Sequence, residues 1–141
     1  MAKADAITLE EFNLIHDQLI HLSNTWADLW LCISHINIRV GRIITLKYID
    51  IVEKQSGSGF VIFGNTEIPF QAMYVINRRK KLNPDDEYIF QSHSGRVGRK
   101  SKPVTIIAFN QAINIVSSRV TDKNISSTSA LRITNYNLKE N

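Results

Sequence analysis

Residues 24–33 form a helical segment that is apolar on most of its sides, and this segment restricts what the chain can fold into. Its apolar side chains are Trp26, Leu29, Trp30, Leu31 and Ile33. A helix without a polar face has to lie in the middle of a hydrophobic core, so other elements must cover it from several directions. With 141 residues, 43% of them hydrophobic, the chain is long enough for one such core. We therefore expect a single domain over residues 1–141.

Two further helical patterns flank this segment. Thr8-Leu-Glu-Glu11 has the form of a capping box, and apolar residues recur behind it at helical spacing, which predicts an amphipathic helix. Asn24 or Thr25 is the expected cap of the apolar helix. After a polar break at His35 and Asn37, residues 40–46 predict a third, short helix.

The pattern then becomes typical of strands. Residues 48–52 and 60–63 are rich in β-branched and aromatic side chains, and the glycine-serine sequence at 56–59 between them has turn chemistry. These features predict a β-hairpin. Residues 67–69 favour a third strand at the edge of the sheet.

Helical patterns return at residues 71–79, which end in the basic run 78–81, and again from Thr105. The tail from Ser117 is polar and predicts irregular structure. The order of elements indicates an α+β fold, mostly helical with a small antiparallel sheet. A doubly wound parallel sheet is not expected, because strands and helices do not alternate.

Several function classes are disfavoured. The longest apolar stretch, residues 26–38, is interrupted by polar side chains and is too short to span a membrane, and the first dozen residues contain no secretory signal. Cys32 is the single cysteine, and the four histidines lack metal-ligand spacing. Residues 94–101 resemble a phosphate loop, but the spacing of their glycines does not fit one. We expect a soluble cytoplasmic protein that needs no cofactor and no metal.

Charge is distributed unevenly along the chain. The net charge is +4, yet residues 1–38 contain five acids and one base, whereas the rest contains sixteen bases and eight acids, a net charge of +8. A basic segment of this kind favours a polyanionic partner, most simply nucleic acid. An ordinary solvated basic surface is the alternative.

Two groups of basic residues are candidates for phosphate binding. Arg39 follows the apolar helix and the polar break, so a corner between two helices would hold it rigidly, as bidentate phosphate recognition requires. The alternative is an ion pair with Asp50 or Glu53. The second group lies in a loop with small residues, which could follow a DNA backbone or remain a solvated loop. It consists of Arg96, Arg99, Lys100 and Lys102.

The sequence from Ile36 to Ile51 resembles the first motif of the tyrosine recombinases, the phage integrase family. The matching residues are Arg39, Ile43, Leu46, Asp50 and Ile51. The order of the patterns after it, including the edge strand and the helix from Pro103, is also similar to that family. The resemblance covers residues 7–135.

This resemblance implies a fold like that of the integrase catalytic domain and a role in DNA integration and recombination. In the family, a tyrosine attacks a DNA phosphodiester, two arginines hold the phosphate oxygens, and a hairpin lysine protonates the leaving oxygen. The resemblance assigns Arg39 to the first arginine, Lys54 to the lysine and Arg132 to the second arginine.

The chain also departs from the family pattern. Arg42 replaces a glutamate, Asn37 replaces a glycine, and Ser129 stands where a histidine should precede Arg132. No tyrosine lies at the family's distance beyond Arg132, and the small helical domain that normally precedes the catalytic domain is absent from these 141 residues. We therefore expect a truncated or degenerate recombinase domain from a mobile element that cannot cleave DNA alone.

Two functions follow from these expectations. The first is a DNA-binding protein whose partner is double-stranded DNA. The second is a non-catalytic partner or inhibitor of an intact recombinase, or a chain that associates with itself, through apolar surface on the Trp26 and Ile106 helices. No membrane partner is expected.

Overall fold

The computed structural model of the protein describes residues 4–93 and 101–134. This part of the chain has an α+β fold with a small antiparallel sheet, as the sequence predicts, and it is about half helical rather than mostly helical. None of the helices in the described ranges has both the length and the apolar character needed to cross a membrane.

The apolar helix lies at the centre of the core. Helix α1 spans Leu9–Leu22 and begins at the predicted capping box, and helix α2 spans Asn24–Cys32. Ser23, rather than Asn24 or Thr25, caps α2 by accepting a hydrogen bond from the backbone N–H of Thr25. Trp30 is fully buried, stacks on Phe12 of α1 with 5.2 Å between ring centroids, and donates its indole N–H to the Phe12 carbonyl.

The connection after α2 is tightly wound. A π-helical turn spans Ile33–Asn37, helix α3 spans Val40–Ile43, and a 3-10 turn spans Tyr48–Asp50. The prediction of a strand from residue 48 is therefore wrong at its start. The carboxylate of Asp50 accepts the backbone N–H of Lys47 at 2.8 Å, and this bond favours the turn over a strand.

The three predicted strands form one antiparallel sheet. Strand β2 spans Val52–Glu53, β3 spans Phe60–Ile62 and β4 spans Thr66–Ile68, in the order β2-β3-β4. Phe60 is paired with Ile68 across the β3–β4 ladder, while Val61 is paired with Glu67. Since successive side chains alternate between faces, Phe60, Ile62 and Ile68 share the face towards the core.

Two longer helices follow the sheet. Helix α4 spans Phe70–Leu82, and helix α5 spans Ile106–Ser117, with the Thr105 hydroxyl accepting the Ala108 N–H as its cap. Four residues of α4 are buried at helical spacing: Ala72, Val75, Ile76 and Arg79. Between these helices the apolar residues Ile89 and Phe90 are also buried.

The described part of the polar tail is irregular only over residues 118–126, and regular elements follow, which corrects the prediction for residues 127–134. A 3-10 helix spans Ser127–Leu131, and strand β5 (Ile133–Thr134) pairs in parallel with strand β1 (Ile7–Thr8). Sequence patterns could not show this pairing because two-residue strands carry no periodicity. The pairing places the fully buried Ile7 opposite Ile133, so residues from both ends of the described chain join one hydrophobic core.

Candidate functional site

Arg39 lies at the corner that the sequence predicts. It is the N-cap residue of α3, and its side chain is exposed. The backbone turns just before it at Asn37, which has a φ of 65°. Among residues with a side chain, asparagine adopts this left-handed conformation most readily, so it meets the requirement that glycine would meet at this position.

Arg39 lines a cavity of about 460 Å³ together with residues of α3, α5 and the 3-10 helix. Its lining residues include Arg39, Arg42, Asn110, Ser126 and Thr128, whose side chains carry hydrogen-bond donors. None of its lining residues carries a carboxylate. We call it the Arg39 cavity; its charge and its hydrogen-bond donors suit an anion such as phosphate.

The alternative of an ion pair for Arg39 does not occur within the described ranges. Neither Asp50 nor Glu53 pairs with it there, and Asp50 instead accepts the Lys47 N–H. Arg42 holds its guanidinium 4.0 Å from the centroid of the Phe63 ring. This cation–π contact holds the Arg42 guanidinium over a ring that does not itself line the Arg39 cavity.

Lys54 lies on the hairpin but outside the lining of the Arg39 cavity. Its ammonium is 3.2 Å from a carboxylate oxygen of Glu67, which lies on β4, two strands further along the chain. In the register of the sheet, Val61 and Glu67 lie on the face opposite Phe60 and Ile68. The ion pair therefore holds the Lys54 ammonium on the side of the hairpin away from the core.

Arg132 also does not line the Arg39 cavity. It is exposed, and its guanidinium donates a hydrogen bond of 2.7 Å to the backbone carbonyl of Ala4. Ser129, three residues before Arg132, is fully buried and accepts the Ser126 N–H in the cap of the 3-10 helix. Of the three residues that the resemblance assigns, only Arg39 lines the Arg39 cavity, and Arg42 lines it as well.

The basic loop lies mostly outside the described residues. Arg96, Arg99 and Lys100 fall in the range 94–100, and only Lys102 is described. Its side chain is exposed, and its backbone carbonyl accepts the Ser92 N–H at 2.8 Å. This bond holds residues 92 and 102 next to each other.

A buried charged cluster escaped the sequence analysis. Asp28 of α2 accepts hydrogen bonds from Arg78 and Arg79 of α4, the latter at 3.1 Å. Arg79 is buried and also donates to the Ile89 carbonyl at 2.8 Å and to the Thr25 hydroxyl at 3.3 Å. Two sequence features could have predicted this cluster: Asp28 is a lone acid in an otherwise apolar helix, and Arg79 lies at helical spacing from the buried apolar residues of α4.

The described residues do not favour nucleophilic catalysis by the cysteine thiol or the binding of a metal ion. Cys32 is fully buried, and this burial, followed by the charge of Asp28, raises the pKa of its thiol to about 12. The thiol is therefore protonated at neutral pH and is a poor nucleophile. No group of three histidine, cysteine or acidic residues within 4–93 and 101–134 is arranged to hold a metal ion.

Comparisons with known proteins give no match for this chain among family models, curated proteins or solved structures.

Proposed function

We propose that the chain is a DNA-binding protein derived from a tyrosine recombinase, and that the Arg39 cavity binds a phosphate of duplex DNA. The observation that carries this proposal is the composition of the cavity. Two arginines and several residues with polar side chains line it, and no lining residue carries a carboxylate. The resemblance of residues 36–51 to the first recombinase motif supports the same assignment, since that motif contributes a phosphate-binding arginine.

The wider charge of the chain supports the proposal. From Arg39 onward the chain has a net charge of +8, so it would attract a DNA backbone over a surface larger than the Arg39 cavity. Such bulk attraction depends on charge alone, whereas a guanidinium can also hold two oxygens of one phosphate. An experiment that separates these two contributions therefore tests the site directly.

The test replaces Arg39 by lysine, which keeps the charge and removes the planar fork. Fluorescence anisotropy of a labelled duplex is measured from about 20 to 300 mM salt. We expect Arg39→Lys to bind roughly tenfold more weakly, because hydrogen bonds to charged groups contribute about 1.5–3 kcal/mol each. Arg119→Lys is the matched control, since Arg119 is exposed and does not line the cavity.

The proposal fails if the wild-type protein does not bind duplex DNA at the lowest salt. It also fails as a statement about the Arg39 cavity if Arg39→Lys and Arg119→Lys bind DNA equally well. In that case the binding would come from bulk charge alone.

A second candidate function is that of a protein partner, and exposed apolar side chains of α5 favour it. Ile107 is 73% exposed and Ile115 is 51% exposed, which is unusual for isoleucine. Trp26, by contrast, is half-buried and packs against Phe109 with 5.5 Å between ring centroids. Sedimentation velocity tests this candidate: a concentration-dependent increase in mass that Ile107→Asp abolishes would favour it, and a strictly monomeric protein would count against self-association.

A further inference from the structure

A second concave surface lies between α4 and the hairpin, away from the Arg39 cavity. Its volume is about 620 Å³, within the range of roughly 300–1,000 Å³ that is common for ligand sites. One wall is a face of α4 and the other is formed by the hairpin. We call this surface the α4 groove; the lining residues that matter here are Phe60, Phe70, Tyr74, Arg78 and Lys81.

Exposed aromatic rings form one end of the α4 groove. Phe70 is 80% exposed and Tyr74 is 61% exposed. They are four residues apart on one helix, so they lie next to each other on its surface, at about 5–6 Å between Cβ atoms. Phe60, on strand β3, lines the same groove and is half-buried. Large apolar side chains grouped on a surface indicate an interaction site.

Positive charge forms the other end. Arg78 and Lys81 are the charged residues in the lining, and no carboxylate accompanies them. Lys81 is exposed and forms no ion pair with any residue in the described ranges. Arg78 pairs with Asp28, but 42% of its side chain remains accessible. A ligand that fills this groove should therefore combine flat apolar groups with negative charge.

We infer that the α4 groove binds unpaired nucleotides of single-stranded DNA. Bases would stack on Tyr74 and Phe70, and the backbone phosphates would lie against Lys81 and Arg78. Aromatic side chains beside cations are the combination that binds single strands without sequence preference. An apolar peptide fits less well, because it would cover the Lys81 ammonium without pairing it. The inference rests on the proposed function in that it gives the same DNA-binding protein a second DNA surface.

The experiment measures the anisotropy of a fluorescein-labelled oligothymidine with the full chain. Tyr74→Ala should weaken binding roughly 5- to 150-fold, the range that corresponds to the loss of one stacked base. Leu82→Ala is the matched control: Leu82 is on the same helix and 69% exposed, but it does not line the groove. Because Tyr74 and Leu82 are both largely exposed, both variants should fold, and far-UV circular dichroism checks this.

A second pair of variants tests the phosphate contact. Lys81→Gln should lower the slope of log affinity against log salt by about 0.7, the value for one phosphate contact on a single strand. Lys80→Gln removes the same charge one residue away and outside the groove, so it should leave this slope nearly unchanged. Equal effects of the two variants would mean that only bulk charge attracts the strand.

The same variants separate this inference from the proposed function. We expect Tyr74→Ala to bind oligothymidine more weakly and duplex DNA as tightly as the wild type does. We expect Arg39→Lys to bind duplex DNA more weakly and oligothymidine as tightly as the wild type does. Absence of oligothymidine binding, or equal binding by Tyr74→Ala and Leu82→Ala, overturns the inference even if duplex DNA still binds. Tyr74-dependent oligothymidine binding without any duplex binding would support the groove and overturn the Arg39 proposal. An acidic peptide that binds the groove while oligothymidine does not would also overturn the inference.

Discussion

Arg79 lies in the core because its guanidinium finds partners there on several sides. It donates to Asp28, to the Ile89 carbonyl and to the Thr25 hydroxyl, and its charge lies 4.9 Å from the centroid of the Phe90 ring. A buried ion pair is not in itself strongly stabilising, since both charges lose their hydration. Removing one partner is costly, however, because the other then remains buried and unpaired.

The first prediction concerns Asp28. Asp28→Ala should lower the free energy of unfolding by about 3–5 kcal/mol, because the buried Arg79 would lose its counter-charge. Urea denaturation followed by tryptophan fluorescence measures this change. Asp17→Asn is the control: the Asp17 side chain is 71% exposed, so its replacement should change stability by less than about 0.5 kcal/mol. Equal effects of the two substitutions would show that the cluster has no structural role.

The second prediction concerns Cys32. Its pKa of about 12, raised by burial and by the charge of Asp28, leaves almost no thiolate at pH 8, and the surrounding core excludes reagents. A disulfide reagent that reports free thiols should therefore not label the native protein at pH 8. The same reagent should label the protein fully once urea, at about 8 M, has unfolded it. Rapid labelling of the native protein would contradict the position of Cys32 in the core.

At the scale of elements, the sequence predicted those elements whose stabilising contacts lie between residues close together in the chain and agree with the residues' own preferences. The capping box of α1 was predictable because Thr8 and Glu11 are only three residues apart and satisfy each other's backbone groups. The turn at 48–50 was not, because its β-branched and aromatic side chains favour a strand, while the hydrogen bond to Asp50 stabilises the turn. The position of Arg79 was hidden for another reason: a basic run at the end of a helix is usually solvated.

The third prediction concerns Glu11 of the capping box. Burial alone would raise the pKa of this carboxyl. Hydrogen bonds from the Lys123 ammonium, at 2.7 Å, and from the Thr8 N–H lower the pKa by more than burial raises it, so the net shift is downward. A lowered pKa in the folded state stabilises the protein above the unfolded value of 4.5, and this contribution is lost as the pH falls through the folded pKa. Glu11→Gln should thus reduce stability at neutral pH and have little effect in strong acid.

Thermal unfolding at a series of pH values measures this difference between wild type and Glu11→Gln. Glu10→Gln is the control, because Glu10 is the neighbouring exposed acid in the same first turn and is not part of the capping box. A difference between wild type and Glu11→Gln that stays constant with pH would show that the ionised carboxylate contributes nothing.

At the scale of the whole molecule, the sequence predicted the candidate site only in part. It identified Arg39 at a helix corner, because a polar break between two helical patterns is visible in the chain itself. It could not show that Arg42, Asn110 and Ser126 would line the same cavity, since these residues come from three separate elements. The same limit applies to the α4 groove, whose two walls, a face of α4 and the hairpin, come from different elements.

The pairing of β1 with β5 leads to the last prediction, since it connects residues that are more than 120 positions apart. Ile7 is fully buried, and its backbone N–H donates to the Arg132 carbonyl at 3.0 Å. Ile7→Ala should lower the free energy of unfolding by about 2–5 kcal/mol, the usual cost of such a truncation in a core. Because the buried residues form one cluster, unfolding should remain a single transition with an unchanged denaturant slope.

Urea denaturation, followed in parallel by tryptophan fluorescence and far-UV circular dichroism, measures both quantities. Ile107→Ala is the control, because Ile107 is mostly exposed and its truncation should cost less than about 0.5 kcal/mol. Two separate transitions in Ile7→Ala would mean that the β1–β5 pair can open while the rest of the core stays folded. A single transition at lower urea would instead mean that these two short strands unfold together with the rest of the core, although no periodic pattern in the sequence marks them.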